Sequence, residues 1–480
     1  MQLPCNIATI IGGETPPREP VLRMKVVLIS TYELGHQPFG LASPAAWLRR
    51  EGHEVSCIDT SQQALRDHES TIATADAVAF YVPMHTATRI AMQAIRRARG
   101  INPGARLCAY GLYAPMNVEL LRESGVERII GGEFEKELAE WAIEKQIPRG
   151  LTPAGDDKGK TNVSLEKLQF ITPDRSSLPR LEKYAKLRLP SREERIAGYT
   201  EASRGCKHLC RHCPIVPVYN GAFRVVQKDV VLADVRQQVA AGAQHITFGD
   251  PDFFNGPTHS IEIVQALHRE FRDLTYDATI KVEHLLKHAD LLPILKQTNC
   301  AFVVTAVESF DDHILAQLDK GHTRQDFVTV VDLFRKTGLN LCPTFVAFTP
   351  WTTLESYEDF LNTLVELDLL ASVPSIQLGI RLLIPAGSRL LELPEIRSVI
   401  GPFDREKLCY PWRNADPRVD ELQIELEQLV QNAAKTGFNR EQVFAQVWQA
   451  ASSKSGNLPQ ELAPLPARAT IPYLTEPWYC

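Results

Sequence analysis

No apolar run in this 480-residue chain approaches the ~20 residues that span a bilayer, which excludes a membrane-spanning helix. The amino terminus, MQLPCNIATIIGGETPP, lacks a basic leading region and a sustained hydrophobic stretch, so no secretory signal is expected and the chain should stay in the cytoplasm. Positive charge is also short: 52 Lys and Arg against 58 Asp and Glu leave a net charge of −6. That balance carries no footprint for a phosphate backbone and disfavours a nucleic-acid substrate. No G-x-G-x-x-G follows the first strand-like run, which argues against a dinucleotide, and there is neither an internal repeat nor a low-complexity tract. The ten cysteines are dispersed through a long chain instead of forming a disulfide framework. Cys57, Cys108, Cys300 and Cys342 sit in apolar strand-like runs and read as buried small hydrophobes.

What is present is an α/β pattern in several domains. With 44% hydrophobic residues the chain can bury a large core. After a leader (1–23), Met24 to Thr31 is a continuous apolar run typical of a strand buried on both faces. Ser43 is placed to cap a helix, Pro44 to open it and Gly52 to end it. Strands are expected at Glu54 to Asp59, Ala77 to Val82, Arg106 to Tyr110 and Val126 to Ile130. The closing helix carries Phe134, Leu138 and Trp141 at core-facing spacing. This predicts a five-strand, doubly wound, Rossmann-like domain over 24–147. A proline-punctuated connector spans 148–195. From 196 to 400 strands and helices alternate again, with strands at His245 to Phe248, Thr275 to Ile280, Ala301 to Ala306, Leu341 to Phe348 and Gln377 to Leu383. With the strand before the cysteine loop these make six β/α units. Residues 401–480 read as two amphipathic helices and a proline-rich tail; Cys409, in LCYPWRN, reads as buried.

The most informative segment is Cys206-Lys-His-Leu-Cys210-Arg-His-Cys213. Three thiolates at C-x3-C-x2-C spacing can hold three irons of a [4Fe-4S] cluster and leave the fourth open for a small ligand. Two other readings stay open here. His208 and His212 make a Cys/His zinc site chemically feasible, although zinc loops usually come as two ligand pairs and no second C-x2-C occurs. An ordinary electron-carrying cluster would need a fourth cysteine.

The loop, with Ser203-Arg204-Gly205 before it, resembles that of radical S-adenosylmethionine (radical SAM) enzymes. The resemblance implies a partial (β/α)6 barrel in which SAM chelates the open iron, and one electron splits it into methionine and a 5′-deoxyadenosyl radical. It implies an external one-electron donor such as flavodoxin or ferredoxin. It also implies SAM contacts. His212, just before the third cysteine, would pack near the adenine. Asp250 or Asp252, in Gly249-Asp250-Pro251-Asp252, would accept from the SAM ammonium, the alternative being helix-capping aspartates. Glu308 and Ser309 stand where the family has its G-x-E-S segment, followed by Lys320 to Thr323. Arg381 would pair with the SAM carboxylate, a structural ion pair being the alternative.

The first domain resembles the cobalamin-binding domain found upstream of many such barrels, through Pro38-x-Gly40-Leu41, Gly52-His53-x-Val55 and Gly132-Glu133-Phe134-Glu135. The family's cobalt-ligating D-x-H-x-x-G is not reproduced in Glu33-Leu34-Gly35-His36-Gln37-Pro38-Phe39-Gly40. His36 is left as a ligand, a corrin contact or a turn residue. Of the glycine pair that often lines the nucleotide tail only Gly111 remains, followed by Leu112.

The last residues, PYLTEPWYC, resemble the tail of a radical SAM group named for a final Cys-Cys-Ala-Glu-Pro or Cys-selenocysteine-Ala-Glu-Pro motif. Cys480 would then begin that motif at a reading frame cut at a selenocysteine codon, and would serve as a redox or ligand thiol. A natural end at Cys480 is the alternative. The leading expectation is cobalamin-assisted methyl transfer to an unactivated centre of a small molecule or peptide. The runner-up is a radical rearrangement, cyclisation, cleavage or sulfur-handling reaction without cobalamin. From another class, a non-catalytic metal-binding or redox protein remains.

Overall fold

The computed structural model describes residues 23–143, 162–436, 438–455 and 471–475. Most of the leader, the first part of the connector and Cys480 lie outside the described residues.

Two parallel sheets dominate. The first has six strands in the order β2-β1-β3-β4-β5-β6, namely β1 (Lys25–Ser30), β2 (Glu54–Asp59), β3 (Ala77–Tyr81), β4 (Arg106–Tyr110), β5 (Arg128–Gly132) and β6 (Asn162–Ser164). Strand β1 alternates between two cores: Val26 and Leu28 join one cluster, Val27 and Ile29 another. This alternation is the period of two that a doubly covered strand requires. The sixth strand was not expected. It comes from the connector, where β6 pairs in parallel with the edge strand β5.

The helix after β1 runs Phe39–Arg50, so it begins before the predicted cap at Ser43, and Pro44 lies inside it. Two hydrogen bonds account for this. A proline cannot donate to the carbonyl four residues earlier, and the freed Gly40 oxygen accepts instead from the Tyr110 hydroxyl at 2.8 Å. Ser43 Oγ, released from capping, donates to Glu135 Oε1 at 2.6 Å.

The second sheet follows β7 (Lys186–Arg188) and curls through the parallel strands β8 (Glu194–Thr200), β11 (His245–Phe248), β12 (Thr275–Thr279), β13 (Cys300–Glu308) and β14 (Leu341–Phe345). A short β15 (Tyr473–Leu474) pairs antiparallel with β7 at its far edge. Between β8 and β11 lies a two-stranded clasp, β9 (Ser203–Gly205) with β10 (Phe223–Val225). The predicted sixth barrel strand is reduced to a parallel bridge between Phe348 and Arg381. Residues Ser375–Leu378 form a tight turn there, and the Gln377 side chain takes the Phe345 backbone N–H at 2.6 Å, so a side chain occupies the edge that a strand would have paired. The fold is therefore a doubly wound parallel domain followed by a curled half-barrel. One apolar cluster runs through both, from Leu28 and Trp141 to Phe248 and Val264. The helices Pro417–Thr436 and Arg440–Ser455 close the barrel side. Cys57, Cys108 and Cys300 are buried as expected, whereas Cys342 is partly exposed, and so is Cys409. No helix among the described residues is long and apolar enough to cross a membrane.

Candidate functional site: a thiol loop at the barrel mouth

The clasp of β9 and β10 closes the base of the loop that carries the three cysteines. Gly205 has φ +72°, and a Cβ there would come within 2.4 Å of the Tyr219 ring and 2.5 Å of the Ala222 carbonyl, so only glycine lets the loop close. The loop is then fixed from four sides. Asp250 accepts from Ala202 N at 2.9 Å and Ser203 Oγ at 2.6 Å. Asn255 accepts from Lys207 N at 3.2 Å. Arg211 N donates to Leu318 O at 2.9 Å, and Ser388 Oγ donates to Arg211 O at 3.2 Å. Cys206 and Cys210 are buried and Cys213 is partly so. Burial, with the neighbouring Cys210 and Cys206 thiols, pushes the Cys213 thiol up to about 12.

Glu308 faces this loop. It ends β13 at a register shift against β14 and holds φ +72°, a conformation that strains a non-glycine residue. Its Oε1 lies 3.2 Å from His212 Nε2 and 3.3 Å from Lys320 Nζ. Burial pushes its carboxyl up, but Lys320 and His212 outweigh burial and hold it down at about 2. The buried Nδ1 of His212 and both ring nitrogens of buried His322 have no partner within the protein. Buried polar atoms left unpaired are costly and mark a place where a polar ligand is expected.

The other candidates distribute as follows. Asp250 braces the loop, its carboxyl raised by burial to about 7. Asp252 accepts from Phe254 N at 3.2 Å and lies 2.6 Å from His284 Nδ1. His208 stands between Glu283, at 3.1 Å, and Asp252, at 3.5 Å. Donor atoms of Cys206, His208 and Asp252 lie within 4.8 Å of one another, which keeps a mononuclear metal in view, although the two polar residues are already engaged with Glu283 and His284. Ser309 Oγ accepts from Asp311 N at 3.0 Å and so stabilises the turn after Glu308. Arg381 is placed elsewhere: it pairs with Asp420 at 2.7 Å, donates to the Trp412 carbonyl and stacks 3.4 Å from the Trp412 ring. Those contacts match the structural ion pair, not a carboxylate fork in the site.

Sequence reasoning missed two residues that matter here. Arg204 is buried against the first domain, bonded to Glu135 at 2.6 Å, Glu133 at 3.3 Å and Glu201 at 2.6 Å, with its guanidinium 4.9 Å from the Phe134 ring. Lys281, just beyond β12, puts its ammonium 3.5 Å from Cys210 Sγ. The signal for the first pair was present, since Ser203-Arg204-Gly205 and Gly132-Glu133-Phe134-Glu135 are both motif segments, but nothing in one dimension joins them.

In the first domain, His36 lies against the barrel, its ring 4.8 Å from that of Tyr199, with burial lowering its pKa to about 4. Gly40 and Gly111 both pack on Tyr81. A Cβ at Gly40 would fall 2.2 Å from the Tyr81 ring, and one at Gly111, where φ is +109°, would fall 3.0 Å from it. Tyr81, Tyr110 and Phe134 form one aromatic group with centroids 5.1 to 5.8 Å apart. The space beside the two glycines thus holds a tyrosine ring, which would have to move for a cobalamin nucleotide tail to lie there.

The thiol loop, Glu308 and the curled sheet define the class. Residues 200–364 match the profile of the Radical SAM superfamily, so this stretch is a radical SAM domain, an enzyme domain whose cofactors are a [4Fe-4S] cluster and SAM. The particular likenesses are more distant. The chain is 22% identical over 203 residues to the tRNA-2-methylthio-N(6)-dimethylallyladenosine synthase of Vibrio parahaemolyticus serotype O3:K6, covering 40% of this chain and 42% of that protein. It thus spans less than half the length of that curated relative. It is 23% identical over 355 residues to an uncharacterized methyltransferase of Pyrococcus horikoshii, covering 69% of this chain and 74% of that one. In fold it is similar to the cobalamin-dependent S-adenosylmethionine radical enzyme OxsB, with a TM-score of 0.66 at 14% identity over 86% of this chain and 67% of that one. It is also similar to the radical S-adenosylmethionine methyltransferase TsrM from Kitasatospora setae, with a TM-score of 0.60 at 15% identity over 89% of this chain and the whole of that one.

Proposed function

We propose that this chain cleaves SAM reductively at a cluster held by Cys206, Cys210 and Cys213 and directs the resulting radical at a small-molecule or peptide substrate in the barrel. The observation that carries the reading is three thiols on a pinned loop, facing a strained, buried Glu308 whose carboxylate lies against His212 and Lys320. Three thiolates fit a [4Fe-4S] cluster with one iron open, and the unpaired nitrogens of His212 and His322 fit a polar ligand beside it. When bound, the cluster supplies one electron, and SAM yields methionine and a 5′-deoxyadenosyl radical. The chain's own part is positional. Glu308 offers a carboxylate to the SAM amino group or ribose, and Lys320 and His212 keep that carboxylate ionised. Asp250 and Ser203 fix the loop. An external donor of the flavodoxin or ferredoxin kind would supply the electron.

The test is anaerobic reconstitution followed by measurement of iron, sulfide, zinc and 5′-deoxyadenosine. About four irons per chain and 5′-deoxyadenosine formed with SAM and reductant are expected. Stoichiometric zinc without cleavage would return the chain to the mononuclear-metal reading.

A second reading, cobalamin-dependent methyl transfer, is supported by the likeness of both domains to OxsB and TsrM. A specific feature favours it: at the end of β1 the buried Ser30 Oγ and Glu33 Oε2 lack partners. Burial, then Glu201 and Asp59, push the Glu33 carboxyl well above its usual range, and its unpaired Oε2 is a polar group that a corrin amide could meet. Tyr81 stands against the nucleotide tail, and cobalt retention decides between them.

A further inference from the structure

We infer that Lys281 sets the reduction potential of the cluster by a charge-assisted hydrogen bond to the Cys210 sulfur. This rests on the cluster reading above, and the experiment separates the two.

Lys281 is 7% exposed, and its ammonium has three acceptors: Glu283 Oε2 at 2.8 Å, Lys320 O at 3.1 Å and Cys210 Sγ at 3.5 Å. An ammonium carries three hydrogens, so all three are directed and the side chain has one position. That position is itself built. Lys281 directly precedes the helix Val282–Lys287, and Glu283, two residues on, lies in the first turn of that helix. Gly321, at φ +74°, makes room for Glu283, since a Cβ there would fall 2.5 Å from its carboxylate. A lysine needed only to finish β12 would not require a glycine on another loop to hold its counter-ion.

The physical consequence follows from charge. Reduction transfers one electron from an external reductant to the cluster, with no bond made or broken, and leaves its sulfurs more negative. A fixed cation donating to one ligand sulfur stabilises the reduced state more than the oxidised one and raises the potential; hydrogen bonds to sulfur and nearby charge are two of the factors that set cluster potentials. Burial strengthens the effect because little solvent screens it. Lys320 is also buried nearby, but its ammonium is committed to Glu308. Glu283 offsets part of the Lys281 charge, which predicts opposite signs for loss of the lysine and loss of the glutamate.

The experiment is an EPR-monitored redox titration of reconstituted parent protein, Lys281→Met, Lys281→Arg and Glu283→Gln, each with iron and sulfide counted first. Lys281→Met should disfavour reduction about tenfold at a fixed potential, about 59 mV lower for a one-electron couple. Lys281→Arg should stay within about threefold of the parent. Glu283→Gln should shift the midpoint upward. An unchanged midpoint in Lys281→Met at full iron content, or equal shifts in Met and Arg variants, overturns the inference. Should Lys281→Met fail to assemble a cluster, the arginine and glutamine variants decide, and an unshifted or lowered midpoint in Glu283→Gln counts against it. A parent protein with no four-iron cluster removes the cluster reading and this inference together.

Discussion

The two parallel sheets of this chain present their carboxyl strand ends to the same interior, yet they use them differently. At the barrel, Gly205 clears space so that a loop of three thiols can close, and the strand beside it ends in a strained Glu308. In the first domain, Gly40 and Gly111 also clear space, but the chain fills it with its own Tyr81. The difference lies in what stands beside the gap: next to Gly205, whose own gap is filled by Tyr219 and the Ala222 carbonyl, lie three thiols and the unpaired ring nitrogens of His212 and His322, whereas Tyr81 packs on Tyr110 and Phe134 as core. The strand-end rule for α/β folds points to where a ligand can bind, and the side chains decide whether one does.

The largest effect that separates the regions is on chemistry. Cys206→Ala, Cys210→Ala or Cys213→Ala should each abolish 5′-deoxyadenosine formation, a loss of a hundredfold or more, whereas His36→Ala should leave SAM cleavage within about threefold of the parent, read by chromatography of quenched reactions. Next in size is the seam between the domains. Arg204→Met leaves Glu133, Glu135 and Glu201 buried without their cation, and should cost about 3–5 kcal/mol in denaturant unfolding.

The pH response sharpens the contrast further. Burial, partly offset by Arg204 and reinforced by Glu135, raises Glu133 to about 7, so the folded protein prefers this carboxyl protonated. Its contribution is present below the unfolded value of about 4.5 and is lost as pH rises through 7, by about 2–3 kcal/mol; Glu133→Gln should flatten that slope. Glu308 behaves oppositely. Held at about 2, it contributes at neutral pH and loses that contribution as pH falls from the unfolded value towards 2. Unfolding measured from pH 4 to 8 in Glu133→Gln and the parent checks the first sign. The smallest effect is at Arg381. Arg381→Met should lower stability by about 1–2 kcal/mol, through Asp420 and Trp412, and leave SAM cleavage unchanged. A loss of cleavage without loss of stability would return Arg381 to the site.

Much of this was legible in the sequence because local patterns carried it. Continuous apolar runs located β1 to β4 and β11 to β14, since strands buried on both faces need no alternation. The cysteine spacing located the loop. The failures have a common cause in distance along the chain. Ser43 looked like a cap because its partner Glu135 is 92 residues away, and the helix start at Phe39 depends on Tyr110 accepting the role Pro44 vacates. Gln377 ends the sheet by bonding Phe345 with its side chain, which no strand propensity encodes. Lys281 reaches Cys210 across 71 residues. Asp250 and Asp252 were legible as important but not as to role, because one faces the loop backbone and the other a histidine pair.

The most direct measurement is 5′-deoxyadenosine formed by reconstituted protein in which cobalt has been assayed in the same sample, before and after hydroxocobalamin is offered and excess removed. The account predicts that SAM cleavage does not require cobalt, and that Tyr81→Ser, which opens the space between Gly40 and Gly111, raises the cobalt retained above that of the parent. Near-stoichiometric cobalt in the parent, with SAM cleavage only after cobalamin is added, would contradict it.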